Sequence, residues 1–249
     1  MFSVRIKKYI LYVGGVIAAL VLLLGALSQA GFVVSGAYIV KGGTLTITSA
    51  YPDSIVFIDN RQVGRVAADG TFSKYPVKPG KRSIILSHTT SWPWMYTVNM
   101  QSRKNISIAP LQITKDPIRS LLTASDDPLL LSANSALSDY REPTRPQPLE
   151  RNRRLVWVEG TTIYTQENDT VRSVISIQSP ITSVFWYGDR EDAIIVSARN
   201  AVFALDLRYG GAQNYLPLYT GTKPQAVADP IRSNIIYVKD AGDIFTLDI

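Results

Sequence analysis

Three stretches, "RLVWVEGTTIYTQE" (residues 154–167), "AIIVSARNAVFALDL" (193–207) and "IIYVKDAGDIFTLDI" (235–249), can be laid over one another. In each, an apolar strand-like run meets a tight polar turn, and a second run follows that ends on a polar or acidic residue. Ile163-Tyr164, Val202-Phe203 and Ile244-Phe245 fall in equivalent slots, at steps of about 40 residues that signal an internal repeat. Between the copies lie "SVISIQ", "SVFWYGD" and "NYLPLYTG", which supply further outer and inner strands.

A four-stranded unit repeating at this length marks the blades of a β-propeller. The arrangement resembles bacterial propellers of the TolB-like kind, although no strict signature dipeptide is present. Residues 153–249 hold two full blades and part of a third, whereas closed propellers typically use about 4–8. Three outcomes stay open: a truncated relative, an open arc or sandwich, or completion by oligomerisation. The last run, "DIFTLDI", presents a strand edge that calls for pairing.

The N-terminus is of a different kind. After Arg5, Lys7 and Lys8, residues 9–30 ("YILYVGGVIAALVLLLGALSQA") carry no charge. About 20 such residues at ~1.5 Å rise cross a hydrocarbon core of ~30 Å, and a helix satisfies its own backbone there. The cations precede the span and Lys41 is the first charge after it. Positive-inside bias therefore places residues 1–8 in the cytoplasm as a short tail and exports the rest. Tyr9 and Tyr12 suit the interfacial aromatic belt, and Phe32 to Val40 is expected as a first extended stretch outside. Two rival readings are a signal peptide cleaved after Ser28-Gln29-Ala30 and a buried core helix; the apolar run exceeds the usual signal-peptide core of about 7–15 residues.

From Lys41 the period changes to two. "GTLTITSA" sets Leu45 and Ile47 against Thr44, Thr46 and Thr48. "SIVFID" and "RQVGRV" flank Asp59-Asn60, a pair suited to a tight hairpin turn. Pro79-Gly80 precedes a strand at Arg82 to Ser87, and "WMYTVNM" and "NISIAPLQI" supply two more. These short strands make a small antiparallel β-sandwich at residues 41–113. The stretch resembles a PEGA domain, a small β-sandwich of bacterial and archaeal surface proteins. Tyr51-Pro52-Asp53-Ser54-Ile55 stands at the place of that family's namesake motif, "VFIDNRQVG" at its hairpin, and "VKPGKRSIIL" at its Pro-Gly turn. Asp53, Ser54 and Ile55 replace the motif's Glu-Gly-Ala, and Asn60 replaces the turn glycine. The resemblance implies a non-catalytic scaffold and carries over no catalytic residues.

Residues 114–152 read as a Pro-rich irregular connector, with apolar anchors at Leu121, Leu122 and Leu129 to Leu131 and a short helix from Ser135 to Tyr140 that Pro143, Pro146 and Pro148 stop. The fold class expected for the whole is mainly β: an N-terminal transmembrane helix, a small antiparallel sandwich and a partial propeller-like region.

Little in the sequence points to bond-making chemistry. Zero cysteines exclude disulfides and thiol nucleophiles, and one histidine, His88, leaves no routine multi-histidine metal site. No G-x-S-x-G elbow supports His88, and no phosphate-cradling glycine loop occurs. Asp126-Asp127 and Asp189/Glu191/Asp192 sit where turn acids are expected, and Asn105-Ile-Ser and Asn168-Asp-Thr match a glycosylation sequon. No catalytic, cofactor or metal residues are therefore assigned. A net charge of +6, spread along the chain, gives no nucleic-acid footprint. The ligand or interface candidates are Trp92, Trp94 and Tyr96, which an extended backbone would set on one face; filling a core is the competing role. The expectation is a non-enzymatic, single-pass cell-membrane protein, N-terminus inside, whose exported β domains bind or scaffold cell-wall polymer or envelope proteins. Its partner through residues 9–30 is the bilayer. A sensor or regulatory subunit of a membrane partner is the alternative, and a hydrolase a third.

Overall fold

Strand-forming runs interrupted by Gly, Pro and Asx turns dictate many short strands, and the computed structural model, which describes residues 4–124, 126–208 and 214–249, has that character. One long helix precedes several small sheets. The chain divides into two compact units, Met1–Ile84 with Thr97–Pro110, and Ile85–Tyr96 with Leu111–Ile249.

In the first unit, helix α1 (Val4–Gln29) contains an apolar stretch, Leu11–Gln29, of mean hydropathy 2.3, none of it buried against protein. It is long and apolar enough to cross a membrane. Gly31, at φ 82°, ends it, and the Gly31 N–H donates to the Ser28 carbonyl at 3.0 Å. Strands β1 (Phe32–Ser35) and β2 (Tyr38–Lys41) follow as a hairpin with Gly36 at φ 64°. The segment expected as one extended stretch thus folds back on itself, because Gly36 supplies the left-handed residue of a tight turn.

The unit continues with β3 (Gly43–Thr48), β4 (Ile55–Ile58), β5 (Arg61–Arg65), β6 (Thr71–Val77), β7 (Gly80–Ser87), β8 (Trp94–Met100) and β9 (Asn105–Ile108). They form a three-stranded sheet, β6-β3-β9, and a four-stranded sheet, β5-β4-β7-β8, in which β7 and β8 run on into the second unit. Leu45 and Ile47 are fully buried, as the alternation of β3 requires, and Val56, Phe72, Ile84 and Ile108 are buried as well. Asp59 and Asn60 both take left-handed backbone, φ 50° and 63°, and close β4 on β5. The Asp59 carboxylate then accepts from the Ser83 N–H at 3.1 Å and from Arg82 at 2.7 Å. Asp53 also takes left-handed backbone, φ 61°, which a short polar side chain tolerates. The expectation of a purely antiparallel arrangement needs correction: β3 pairs with β9 in parallel. The intervening chain passes through the other sheet and returns running the same way.

The second unit holds β10 (Ile118–Leu121), α2 (Pro128–Asp139), β11 (Leu149–Arg151), β12 (Arg154–Glu159), β13 (Thr162–Glu167), β14 (Thr170–Ser176), β15 (Ile181–Trp186), β16 (Ala193–Ala198), β17 (Ala201–Asp206), β18 (Tyr215–Thr220), β19 (Gln225–Ala228), β20 (Ile235–Asp240) and β21 (Asp243–Asp248). The three laid-over stretches are the hairpins β12–β13, β16–β17 and β20–β21. Their registers agree: Val158 faces Ile163, Ser197 faces Val202, and Lys239 faces Ile244. Each hairpin is the middle pair of a four-stranded antiparallel sheet, β11-β12-β13-β14, β15-β16-β17-β18 and β10-β21-β20-β19.

The second unit departs from expectation in its third sheet and in residues 114–152. The third sheet is not partial, because β10 supplies its fourth strand and covers the edge of β21. The Arg119 guanidinium lies 3.9 Å from the centre of the Phe245 ring, and the Leu122 N–H donates to the Ile244 carbonyl at 2.9 Å. The segment expected as an irregular connector therefore carries two strands and a full helix. That helix starts seven residues before Ser135, because Asp127 caps it, accepting from the Leu129 N–H at 2.8 Å, and Pro128 takes the first position. Leu129, Leu130, Ala133, Ala136 and Leu137 form one stripe of α2, packed on Leu122, Val227, Tyr237 and Ile244.

The first two sheets share a core that includes Val156, Ile163, Val184, Ile194, Val196 and Phe203. Each large apolar side chain of this core removed from water contributes ~1.5–3 kcal/mol to the unit's stability. The second and third sheets meet where the Ala226 N–H reaches the buried hydroxyls of Ser197, at 3.0 Å, and Ser183, at 3.2 Å.

Candidate functional site

Two places in the second unit gather side chains able to recognise something. The first begins with "SWPWMY", at the tip between β7 and β8. Pro93 keeps Trp92 out of the strand, so the three rings do not form the even stripe that an extended backbone predicts. Trp94 is fully buried, and its indole N–H donates to Asp206 Oδ2 at 2.9 Å. Tyr96 stacks on it with ring centres 5.5 Å apart, and Trp92, half-buried, donates its N–H to the Pro217 carbonyl at 3.2 Å. Trp94 thus takes the core-filling role, and the outer rings of Trp92 and Tyr96 stay partly open to solvent.

Asp206, at the end of β17, organises the surroundings. Arg208 donates Nε to its Oδ1 at 2.9 Å and Nη2 to its Oδ2 at 2.6 Å, and lies 4.9 Å from the Trp94 ring centre. Asn214 pairs both ways with the Met95 backbone, at 2.9 and 2.8 Å. Burial by itself would raise the Asp206 pKa; hydrogen bonding and charge from Arg208, with the Trp94 N–H, more than offset that and hold it below the ordinary value. Arg208 also reaches Asp192 at 3.4 Å, and Asp192 takes a bidentate pair from Arg190 at 2.8 and 2.9 Å. Linked ion pairs through Asp206, Arg208, Asp192 and Arg190 thus stand behind the "SWPWMY" arm, which Trp94 joins to them at Asp206.

The second place is a groove of about 350 Å³ to which all three sheets contribute. Leu149 and Arg151 come from β11, Trp186 from β15, and Ile231 and Arg232 from the β19–β20 connection, with Asp189 beside them. Arg151 donates to the carbonyls of Gly188 and Arg190 and lies 5.4 Å from the Trp186 ring centre. Ile231 is 89% exposed. Asp229 holds the connection in shape: it accepts from the N–H groups of Ile231 and Arg232 at 2.8 and 3.0 Å, the Tyr237 hydroxyl at 2.7 Å, and the Arg232 guanidinium at 2.6 Å. Burial opposes its ionisation, but these donors win and bring its pKa down to about 2.

The other residues singled out in the sequence serve local structure. His88 Nδ1 accepts from the Thr90 N–H at 3.3 Å and lies 2.9 Å from the Thr90 hydroxyl. Asp127 is the cap of α2, Asp126 is exposed, and Glu191 takes the Asn152 amide. Asn168 and Asp169 are the left-handed turn between β13 and β14, φ 46° and 64°, and Asn105 is exposed at the start of β9. Among the described residues, no group of three or more His, Cys, Asp or Glu side chains is placed to hold a metal ion. Sequence reading missed Asp206, Arg208, Asp229 and Arg232. Their signal is an aspartate followed two or three residues on by arginine, just beyond an apolar run, in "ALDLR" and "ADPIR".

A scan against protein-family models returns no match, and a search of the curated proteins returns none.

Proposed function

We propose that the protein is a membrane-anchored, non-catalytic scaffold of the cell envelope, held by α1, with its β-rich units exported to bind wall polymer or envelope protein. In this reading the first unit is a PEGA-like sandwich and the three four-stranded sheets are propeller-like blades. The observation that carries it is α1: an apolar helix that buries none of its Leu11–Gln29 stretch against protein, joined to a body rich in internally paired charges. Hydrocarbon is the solvent that suits such a surface. The groove, with tryptophan and arginine walls, is the binding surface of this reading.

The test is a tag at each end of the chain, membrane fractionation, and protease added to intact cells. The expected result is a membrane-bound product that withstands salt washing, with the C-terminal tag cleaved from outside and the N-terminal tag protected. Recovery of the full-length chain from the soluble cytosolic fraction overturns the reading. Retention on purified wall polymer, compared between the wild type and Trp92→Ala and Ile231→Ser variants, then tests what the exported units bind.

A further inference from the structure

We infer that the hairpin β1–β2 lies in the headgroup–acyl boundary of the bilayer and acts as a second, lipid-facing contact beside α1; this rests on α1 being the anchor. Three observations converge on it. Val34 is 57% exposed and Ile39 52%, and Tyr38, on the other face of the hairpin, is 75% exposed. Val34 and Ile39 are direct cross-strand partners, so their side chains stand together on one face.

The second observation is covalent. Phe32 follows Gln29 by three residues, which span at most about 10 Å when extended. The interfacial layer on each side of the hydrocarbon is about 5–8 Å thick. The chain is turned rather than extended there, with the Gly31 N–H on the Ser28 carbonyl and Gly31 at φ 82°, so the base of the hairpin starts within that layer. The third is rigidity at the junction. The Gly42 N–H donates to the Gly31 carbonyl at 2.8 Å, closing the base of the hairpin. A Cβ on Gly31 would fall 1.7 Å from the Tyr75 hydroxyl, so the helix end, the hairpin base and β6 are in tight contact.

The occupant these features fit is lipid. Tyr38 carries an amphipathic ring of the type enriched at membrane interfaces, and Lys41, paired with Phe32, closes the hairpin with a cation able to meet headgroup phosphate. A two-stranded hairpin has open edges, which the water-rich interface tolerates and the hydrocarbon does not.

The chain has no cysteine, so single labels are clean. Full-length Leu20→Cys, Val34→Cys, Ile39→Cys and Ile231→Cys variants carry an environment-sensitive fluorophore. They are reconstituted in vesicles of phosphatidylcholine and phosphatidylglycerol that contain spin-labelled lipid, with the label either at the headgroup or deep in the acyl chain. All four positions are exposed, which spares the fold. The expected result is strongest quenching of Leu20→Cys by the deep label, and a blue shift with strongest quenching by the headgroup label at Val34→Cys and Ile39→Cys. Ile231→Cys, also apolar and more exposed still, is the unquenched reference. If positions 34 and 39 behave like 231 while 20 is quenched, the hairpin proposal fails and the anchor stands. If position 20 is itself unquenched, the anchor reading fails and takes the hairpin with it.

Discussion

At the scale of single residues, paired aspartates hold irregular backbone in place. Asp229 satisfies two N–H groups, a hydroxyl and a guanidinium at once, so the loop over the groove depends on its charge. Its pKa near 2 lies below the ~3.9 of an unfolded chain. The stabilisation it contributes is therefore complete above about pH 4 and fades as pH falls towards 2. Thermal melts of the wild type and Asp229→Asn across that window should converge in acid and separate at neutral pH, with the variant less stable. Trp94 is the second residue whose loss is informative. Trp94→Ala removes a buried ring and leaves Asp206 one donor short, and should cost about 3–5 kcal/mol in urea denaturation. Trp92→Ala, at a half-exposed ring, should cost far less. The sequence reading could place these aromatics together but not divide them, since burial depends on the partner surface that Asp206 and Asn214 provide more than 100 residues later.

At the scale of elements, strand β10 decides whether the last sheet is finished. Its four residues, "IRSL", are all exposed, yet they pair with four of the six residues of β21, from Asp248 to Phe245. Replacing Ile118–Leu121 with a Gly/Ser stretch should speed amide exchange across β21 and leave β12–β13 unchanged, as read by hydrogen–deuterium exchange with mass spectrometry. Unchanged protection at β21 would show that the pairing contributes nothing. The contrast explains what was legible beforehand. The three hairpins could be read because their apolar faces and turn residues, such as Gly160 and Ala241-Gly242, lie within a dozen residues of one another. The α1 span was equally plain, being a one-letter pattern of composition. β10 was hidden, because a short outer strand with no buried face has neither alternation nor turn chemistry, and its partner lies far along the chain. The parallel seam of β3 and β9 was hidden for the same reason of distance.

At the scale of the whole molecule, the chain passes between its two units after Ile84, after Tyr96 and after Pro110, so neither unit is a continuous piece of sequence. A fragment of residues 111–249 lacks the arm that buries Trp94 against Asp206, and should melt below the corresponding transition of the intact chain; adding the 85–96 peptide should restore part of the difference. Sheet closure by β10 has a further consequence, in time rather than space. Ser120 and Thr246 sit side by side although 126 positions separate them. During synthesis the outermost strand of that sheet emerges early and must wait, unpaired, while both other sheets are made. Contacts that close so large a loop form slowly. Chain delivery in one direction therefore leaves this strand as the last to be captured, and a ribosome stalled before residue 243 releases a product with one finished pair of sheets and an orphaned strand open to a holding chaperone.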